Sequence, residues 1–389
     1  MPSLGLACRR QASCRRGRIG ATGLCVNIRR SVRAWLVNAA VACLSVVLTA
    51  VLLEVALRMS DGIPLLSFPN FVRERVDLLK VTTSVIYDPL LGWSLAPNLR
   101  IGSGANSLTT DAYGTRQPTS QLRTLPIGAI LASGDSFTIG SEVGDRDSWP
   151  ALLEKALGEP VINAGAGGWG TDQIILRAES LLDVAQPSIV IISFLWQDIL
   201  RAEYRTYGGA HKPYYTIGNG VLELHNNPVP IFTGNRYEVG WTRAVFGYSY
   251  LVFWAAQRLG LTQWVNSWNL QYKLATPPGT GIDISCRLLA RLKATSEQRH
   301  FGLVFLMQYG SNDFDQTAPP ETARKVVDCA RAAEIETVDP WAEIKQMFDR
   351  DQPRYHRLWV LEADGKTLGH MSAAGNRLMA DVLLPLVRH

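Results

Sequence analysis

The sequence predicts an α/β protein built on a doubly wound, five-stranded parallel sheet, with an apolar helix ahead of it and an aromatic-rich insert within it. Three observations predict this. Five short apolar runs, 127–132, 161–163, 188–194, 302–307 and 335–338, have the length of buried strands. Helical patterns separate them, and each of the first three runs ends in glycine or polar residues, the rhythm of successive strand–helix units. Finally, Ala34 to Leu53 holds no charged residue, a stretch long enough to cross a bilayer, for which about 20 residues are needed.

The apolar stretch is read as an uncleaved anchor. A signal peptide has an apolar core of about 7–15 residues and a small-residue cleavage site; this stretch is longer, and Glu54-Val55-Ala56 is a poor site. Eight of the 39 basic residues lie in 1–33, which holds none of the 34 acids. By the positive-inside rule that segment is a cytoplasmic tail and everything after Arg58 is outside. The expected division is therefore a basic tail (1–33), a transmembrane helix (34–57), an extracytoplasmic lead-in (58–126) and a main domain (127–389) with an insert at about 201–280. Residues 1–25, without apolar periodicity, are expected to be disordered. Beyond the tail, acids outnumber bases, which excludes a nucleic-acid-binding surface.

The first strand runs into Gly134-Asp135-Ser136, placing a serine hydroxyl at the carboxyl end of a parallel strand, where α/β proteins bind ligands. Alone, the triplet reads as an ordinary turn. The second strand leads into Gly165-x-Gly167-x-x-Gly170, which matches a dinucleotide fingerprint. Against a nucleotide stand the strand preceding it and the absence of an acid at the next strand tip, Leu195-Trp196-Gln197. The glycines serve better to bring backbone N–H groups near a reacting centre. The third strand, apolar throughout, ends at Gln197-Asp198.

The insert opens with a hairpin signal around Gly218-Asn219-Gly220 and continues through an aromatic stretch from Tyr237 to Tyr272. It reads either as a helical subdomain packing its own core or as a sugar-stacking or membrane-facing wall beside the site. After the last strands, His370 precedes a terminal helix, 372–387. Only Cys286 and Cys329 fall in the exported part, on helices flanking the fourth strand, and are expected to form a disulfide. No C-x-x-C, H-E-x-x-H or calcium-loop pattern occurs, so neither a metal nor a cofactor is expected.

Taken in order, these residues resemble the SGNH (GDSL) hydrolase superfamily, membrane-anchored bacterial type. Its blocks correspond to Gly134-Asp135-Ser136, to Asn163 through Gly168, to Leu195-Trp196-Gln197-Asp198 and to Thr367-Leu368-Gly369-His370. The resemblance implies the family's flavodoxin-like fold, Ser136 as nucleophile and His370 as base. It also implies an oxyanion hole from Ser136, Gly168 and Gln197, the last standing where the family has asparagine. The family's acid belongs three residues before the histidine, where this chain has Thr367. Asp364, three residues earlier, is the expected substitute, with a Ser136–His370 dyad as fallback.

The resemblance further implies a single-pass protein of the inner, cytoplasmic membrane with its catalytic domain in the periplasm. It would hydrolyse or transfer acyl esters, with an acylated glycan or another ester as substrate. Some relatives, the alginate O-acetyltransferases among them, act on exported polysaccharides, which brings polysaccharide export machinery in as a partner. The opposing reading is an inactive scaffold of the same fold that binds glycan.

Overall fold

A computed structural model describes residues 21–72, 84–119, 123–231, 240–265, 272–362 and 364–388. The chain divides into two compact units: residues up to Phe71 with Val245–Gly260, and Val72–Ala244 with Leu261–His389. In chain order the main helices are α1 (Ala21–Ser60), α2 (Ser136–Ile139), α3 (Trp149–Leu157), α4 (Thr171–Ala185) and α5 (Trp196–Arg201). They continue with α6 (Tyr250–Arg258), α7 (Thr280–Arg299), α8 (Glu321–Ala332), α9 (Trp341–Arg350) and α10 (Ala373–Val387).

The second unit is organised by a five-stranded sheet of β1 (Ile130–Ser133), β2 (Val161–Asn163), β3 (Ile189–Leu195), β4 (Gly302–Gln308) and β5 (Glu336–Val338). Its order is β2-β1-β3-β4-β5 and every pairing is parallel. In register, Ile130 faces both Val161 and Ile189, and Gly302 faces Ile189. All seven residues of β3 are buried, as a central strand covered on both faces requires. The first strand starts at Ile130 rather than Ile127, because Gly128 takes a left-handed turn and leaves Ile127 in solvent. The strand order reverses between β1 and β3, so the crevice at their carboxyl ends is where this topology places a ligand.

Helix α4 packs on α7, α7 on α8, and α3 on α10. Cys286 on α7 and Cys329 on α8 are joined by a disulfide across a sequence separation of 43 residues. In the chain-entropy model such a closure contributes about 4 kcal/mol. Arg116 bridges to Asn163 at the end of β2, tying residues 84–119 to the sheet edge. The insert supplies the hairpin Tyr214–Gly218 with Val221–His225, as its turn residues predict.

The first unit holds α1 and α6. Helix α1 already runs from Ala21, so residues 21–25 are helical and not disordered; the remainder of the expected disordered tail lies outside the described residues. From Arg33 to Ser60 it is long and apolar enough to cross a membrane, with a mean hydropathy of 2.5, a length and composition that signal sequences share. The insert is thus split: Val245–Gly260 belongs to the unit of α1, and Tyr237 and Trp268 lie outside the described residues.

Candidate active site

Ser136 is the first residue of α2, directly beyond β1. Asp135 caps this one-turn helix, its Oδ1 accepting from the Phe137 N–H at 2.9 Å. Gly134 is required here, since a Cβ would lie 2.0 Å from Thr138 Oγ1 and 2.9 Å from Ser193 O. Gly165 of the glycine loop is equally constrained, as its Cβ would meet the Ile139 backbone N at 2.6 Å. These two glycines let the β1 and β2 loops close on each other around the serine.

The Ser136 Oγ lies 3.0 Å from His370 Nε2. The other ring nitrogen, Nδ1, lies 3.0 Å from Glu142 Oε1, and the His370 backbone N–H donates to Glu142 Oε2 at 3.1 Å. A carboxylate only accepts, so the Nδ1 proton is fixed toward Glu142 and Nε2 is left as acceptor for the serine hydroxyl. The three side chains thus have the geometry of a serine–histidine–acid relay, with Asp135 Oδ2 at 3.3 Å as a second acceptor for the serine hydroxyl. His370 sits on a short strand, Leu368–Met371, paired with Trp359–Leu361; it does not follow β5 directly.

Asp364, the expected acid, is instead a turn residue. Its carboxylate accepts from Lys366 N and Thr367 N, both at 2.8 Å, and from Thr367 Oγ1 at 2.5 Å. Those bonds hold its carboxyl below the ordinary aspartate value. With both ring nitrogens of His370 engaged elsewhere, nothing remains for Asp364 to orient. The carboxylate that meets the ring is that of Glu142, six residues after the serine.

Glu142 has a φ of 70°, a left-handed backbone that a non-glycine residue adopts at a cost of about 1–2 kcal/mol. Strain of this kind gathers where function over-determines a residue's position. The restraint comes from Arg116, buried beneath the loop. Its guanidinium donates to Ile139 O (2.6 Å), Gly140 O (2.7 Å), Val143 O (2.7 Å) and Ser107 O (2.8 Å), and pairs with Asp145 Oδ1 at 3.1 Å. Burial pulls its pKa down and Asp145 opposes the shift.

On the glycine-loop side, Trp93 Nε1 donates to Gly167 O at 3.0 Å. In a trans peptide the next N–H points the opposite way, so the Gly168 N–H is turned away from the indole. A Cβ on Gly167 would touch only Ser136 Cβ, at 3.9 Å, whereas one on Gly168 would meet Tyr207 and Trp93. Gly167 is therefore the glycine that faces the serine. Gln197 is the second residue of α5, and its Oε1 is enclosed without a hydrogen-bond partner among the described residues. Asp198, next in the chain, caps α5 through Leu195 N and pairs with Arg201 at 2.5 Å. Burial and the neighbouring Asp135 push the Asp198 carboxyl well up. For Arg201 burial opposes the charge, but Asp198, Tyr207 and Asp135 outweigh it and hold the proton.

A cavity of about 400 Å³ is lined by Glu142 and by Gly167, the glycine beside Ser136, while Ser136 and His370 themselves do not line it. Its walls are chiefly apolar, from Val85, Leu95, Ile101 and Leu108 of the lead-in and Ile139 and Val143 beyond the serine. Arg116 reaches it with every donor group already engaged. Near Gly168 the insert contributes a cluster of Tyr204, Tyr207 and Tyr272, Tyr207 stacked under Arg201.

No family model matches, and no curated protein sequence matches significantly. Solved structures do match. A lipase/acylhydrolase from Enterococcus faecalis covers 67% of this chain and 95% of its own, at 13% identity and a TM-score of 0.35. An acetylxylan esterase from Geobacillus stearothermophilus covers 68% and 95%, at 15% identity and a TM-score of 0.35. A protein assigned to the G-D-S-L lipolytic family, from Desulfitobacterium hafniense, covers 67% and 99%, at 14% identity and a TM-score of 0.35. At such identities no activity transfers, and the reading of the site rests on its own geometry.

Proposed function

We propose that this protein is a serine ester hydrolase of SGNH type, held to a membrane by α1, acting on acyl esters of cell-surface or exported glycans. The observation that carries it is the continuous relay from Ser136 Oγ through His370 to Glu142. His370 Nε2 takes the hydroxyl proton as Oγ attacks the ester carbonyl. The same proton then passes to the departing alcohol, leaving an acyl-serine. Glu142 stabilises the imidazolium that forms between these events. Water attacking the acyl-serine, again through His370, completes hydrolysis; a sugar hydroxyl in its place gives transfer. Backbone N–H groups of Ser136 and the Gly167-Gly168 segment are the oxyanion donors in this scheme.

The apolar cavity supports an acyl group beside the serine, and the tyrosine cluster near Gly168 supports a sugar on the other side. A filled nucleophile, base and acid favour an enzyme over an inactive scaffold. The disulfide and the arginines ahead of the apolar span support a catalytic unit outside the cytoplasm. Incubating the protein with p-nitrophenyl acetate and with acetylated glycans, then weighing the trapped intermediate by mass spectrometry, tests this reading. An acyl adduct on Ser136 is expected. No ester turnover and no labelling by a serine-directed phosphonate would return the chain to the scaffold reading.

A further inference from the structure

We propose that helix α6 and the segment after α1 form a membrane-interface surface, seated in the headgroup boundary of the bilayer and pinned there by Glu54. The proposal rests on the reading of α1 as a bilayer-spanning helix; it is independent of the catalytic reading.

Glu54 is the first acid in the chain and interrupts an otherwise uncharged stretch of α1. A lone carboxylate at the end of a membrane span is costly, and such groups occur where a partner offsets them. Here the partner is the amino terminus of α6. Glu54 Oε1 accepts from Tyr250 N at 2.8 Å, and Oε2 accepts from Leu251 N at 2.7 Å and Ser249 Oγ at 2.9 Å. Free N–H groups and the helix dipole favour an anion at this position. Arg58, one turn on, donates to Glu54 Oε1 at 2.6 Å, to Ser67 O at 2.6 Å and to Tyr248 O at 3.1 Å. Its guanidinium also lies over the Phe68 and Phe71 rings. Glu54 is six residues from the end of α1, about 9 Å along the axis at 1.5 Å per residue. The start of α6 is thereby fixed at the level where the apolar span finishes.

Around this joint the same unit exposes large apolar side chains. Leu66 is 89% exposed, Leu259 75% and Phe68 70%; Leu65 next to Leu66, and Val245 and Tyr248 just ahead of α6, are exposed as well. Scattered apolar residues on a surface need no explanation, but these flank a helix bonded to a lipid-spanning one. Trp254, stacked with Arg258 at 4.9 Å, adds the aromatic and basic pairing that membrane interfaces favour. Lipid is the occupant that continuity with α1 supplies: at that height the neighbouring helix is already leaving the hydrocarbon. A helix of nine residues is far too short to span, so it lies on the bilayer rather than through it.

The test uses the full-length protein in phosphatidylcholine vesicles, with Cys8, Cys14, Cys25 and Cys43 replaced by serine and the disulfide retained. Single cysteines at Leu44, Leu66 and Leu259 carry an environment-sensitive fluorophore, and lipids bearing a quencher near the headgroup or deep in the chain are compared. The expected result is deep quenching at Leu44 and shallow quenching at both Leu66 and Leu259. Adding Glu54→Ala is expected to remove the quenching at Leu259 and leave that at Leu44. Quenching at Leu44 with none at Leu66 and Leu259 would overturn the interface and spare the anchor. Absence of quenching at Leu44 would overturn both. Quenching at Leu259 unchanged by Glu54→Ala would overturn the pinning role of Glu54.

Discussion

Two acidic loops flank the same histidine and do opposite things. Asp364 is close to His370 in sequence, yet its oxygens close a local turn on Lys366 and Thr367. Glu142 is 228 residues away, yet it bonds both the ring and the backbone N–H of His370. The difference lies in what surrounds each carboxylate. Asp364 sits in an exposed turn whose own donors are nearer than any ring. Glu142 sits in a left-handed kink clamped from below by Arg116, with its side chain held outward. An acid is defined by the backbone that aims it, and spacing along the chain is a poor guide to that.

The largest effect expected from this contrast is at the relay itself. Ser136→Ala and His370→Ala should each lower kcat for a p-nitrophenyl ester by up to about 10⁶-fold, the scale of such losses in a serine protease. Residual turnover near wild type in either would break the comparison at its root.

Arg116→Met sharpens it from the other side, because the guanidinium makes no hydrogen bond to His370 and all its donors are already engaged. The substitution strips the Glu142 loop of its clamp and leaves Asp145 buried and unpaired, for which a cost of about 3–5 kcal/mol is expected. Urea unfolding should show that loss, and the variant should bind a serine-directed phosphonate slowly even where it is folded. An Arg116→Met protein with wild-type labelling kinetics would mean the loop aims itself.

A milder test concerns Trp93→Phe, which removes one hydrogen bond, to Gly167 O, worth about 0.5–1.5 kcal/mol. If Trp93 orients the oxyanion peptide, kcat should fall by about tenfold or less, with KM little changed. A change confined to KM would place Trp93 in substrate binding instead.

The smallest effect belongs to the Asp364 turn. Its carboxyl is held below the ordinary value by Thr367 and Lys366, so the stability it lends is present above the ordinary aspartate range. That stability is lost as pH falls through the lowered value. Asp364→Asn should therefore blunt the acid end of the stability curve slightly, and Thr367→Val should do the same.

Much of the fold was legible in the sequence because buried parallel strands announce themselves. The run Ile189 to Leu195 is apolar at every position except Ser193, and its neighbours β1 and β4 are nearly so. Ser136 and His370, which lie 3.0 Å apart, stand out in the sequence for another reason: each falls in a recognisable block, one just past β1 and the other shortly before α10. Glu142 carried only a faint signal, an acid in a glycine-containing loop just beyond the serine. Its pairing with His370 depends on a fold-back that no local pattern encodes. The lead-in hid its role more completely. Trp93 lies in a short strand, Gly92–Leu95, and Arg116 at isolated bridges, and both bond to backbone carbonyls, which leave no trace in side-chain spacing.

The most direct measurement is kcat for Glu142→Gln set against kcat for Asp364→Asn, on the same ester and across neutral pH. Glu142→Gln keeps the shape and loses the charge; the corresponding change in a serine protease costs about 10⁴ in rate. Because His370 and Glu142 here are each about one third exposed, a loss of about 10²–10⁴ is expected. Asp364→Asn is expected to leave kcat unchanged. The reverse pattern, with Glu142→Gln near wild type and Asp364→Asn crippled, would contradict the account.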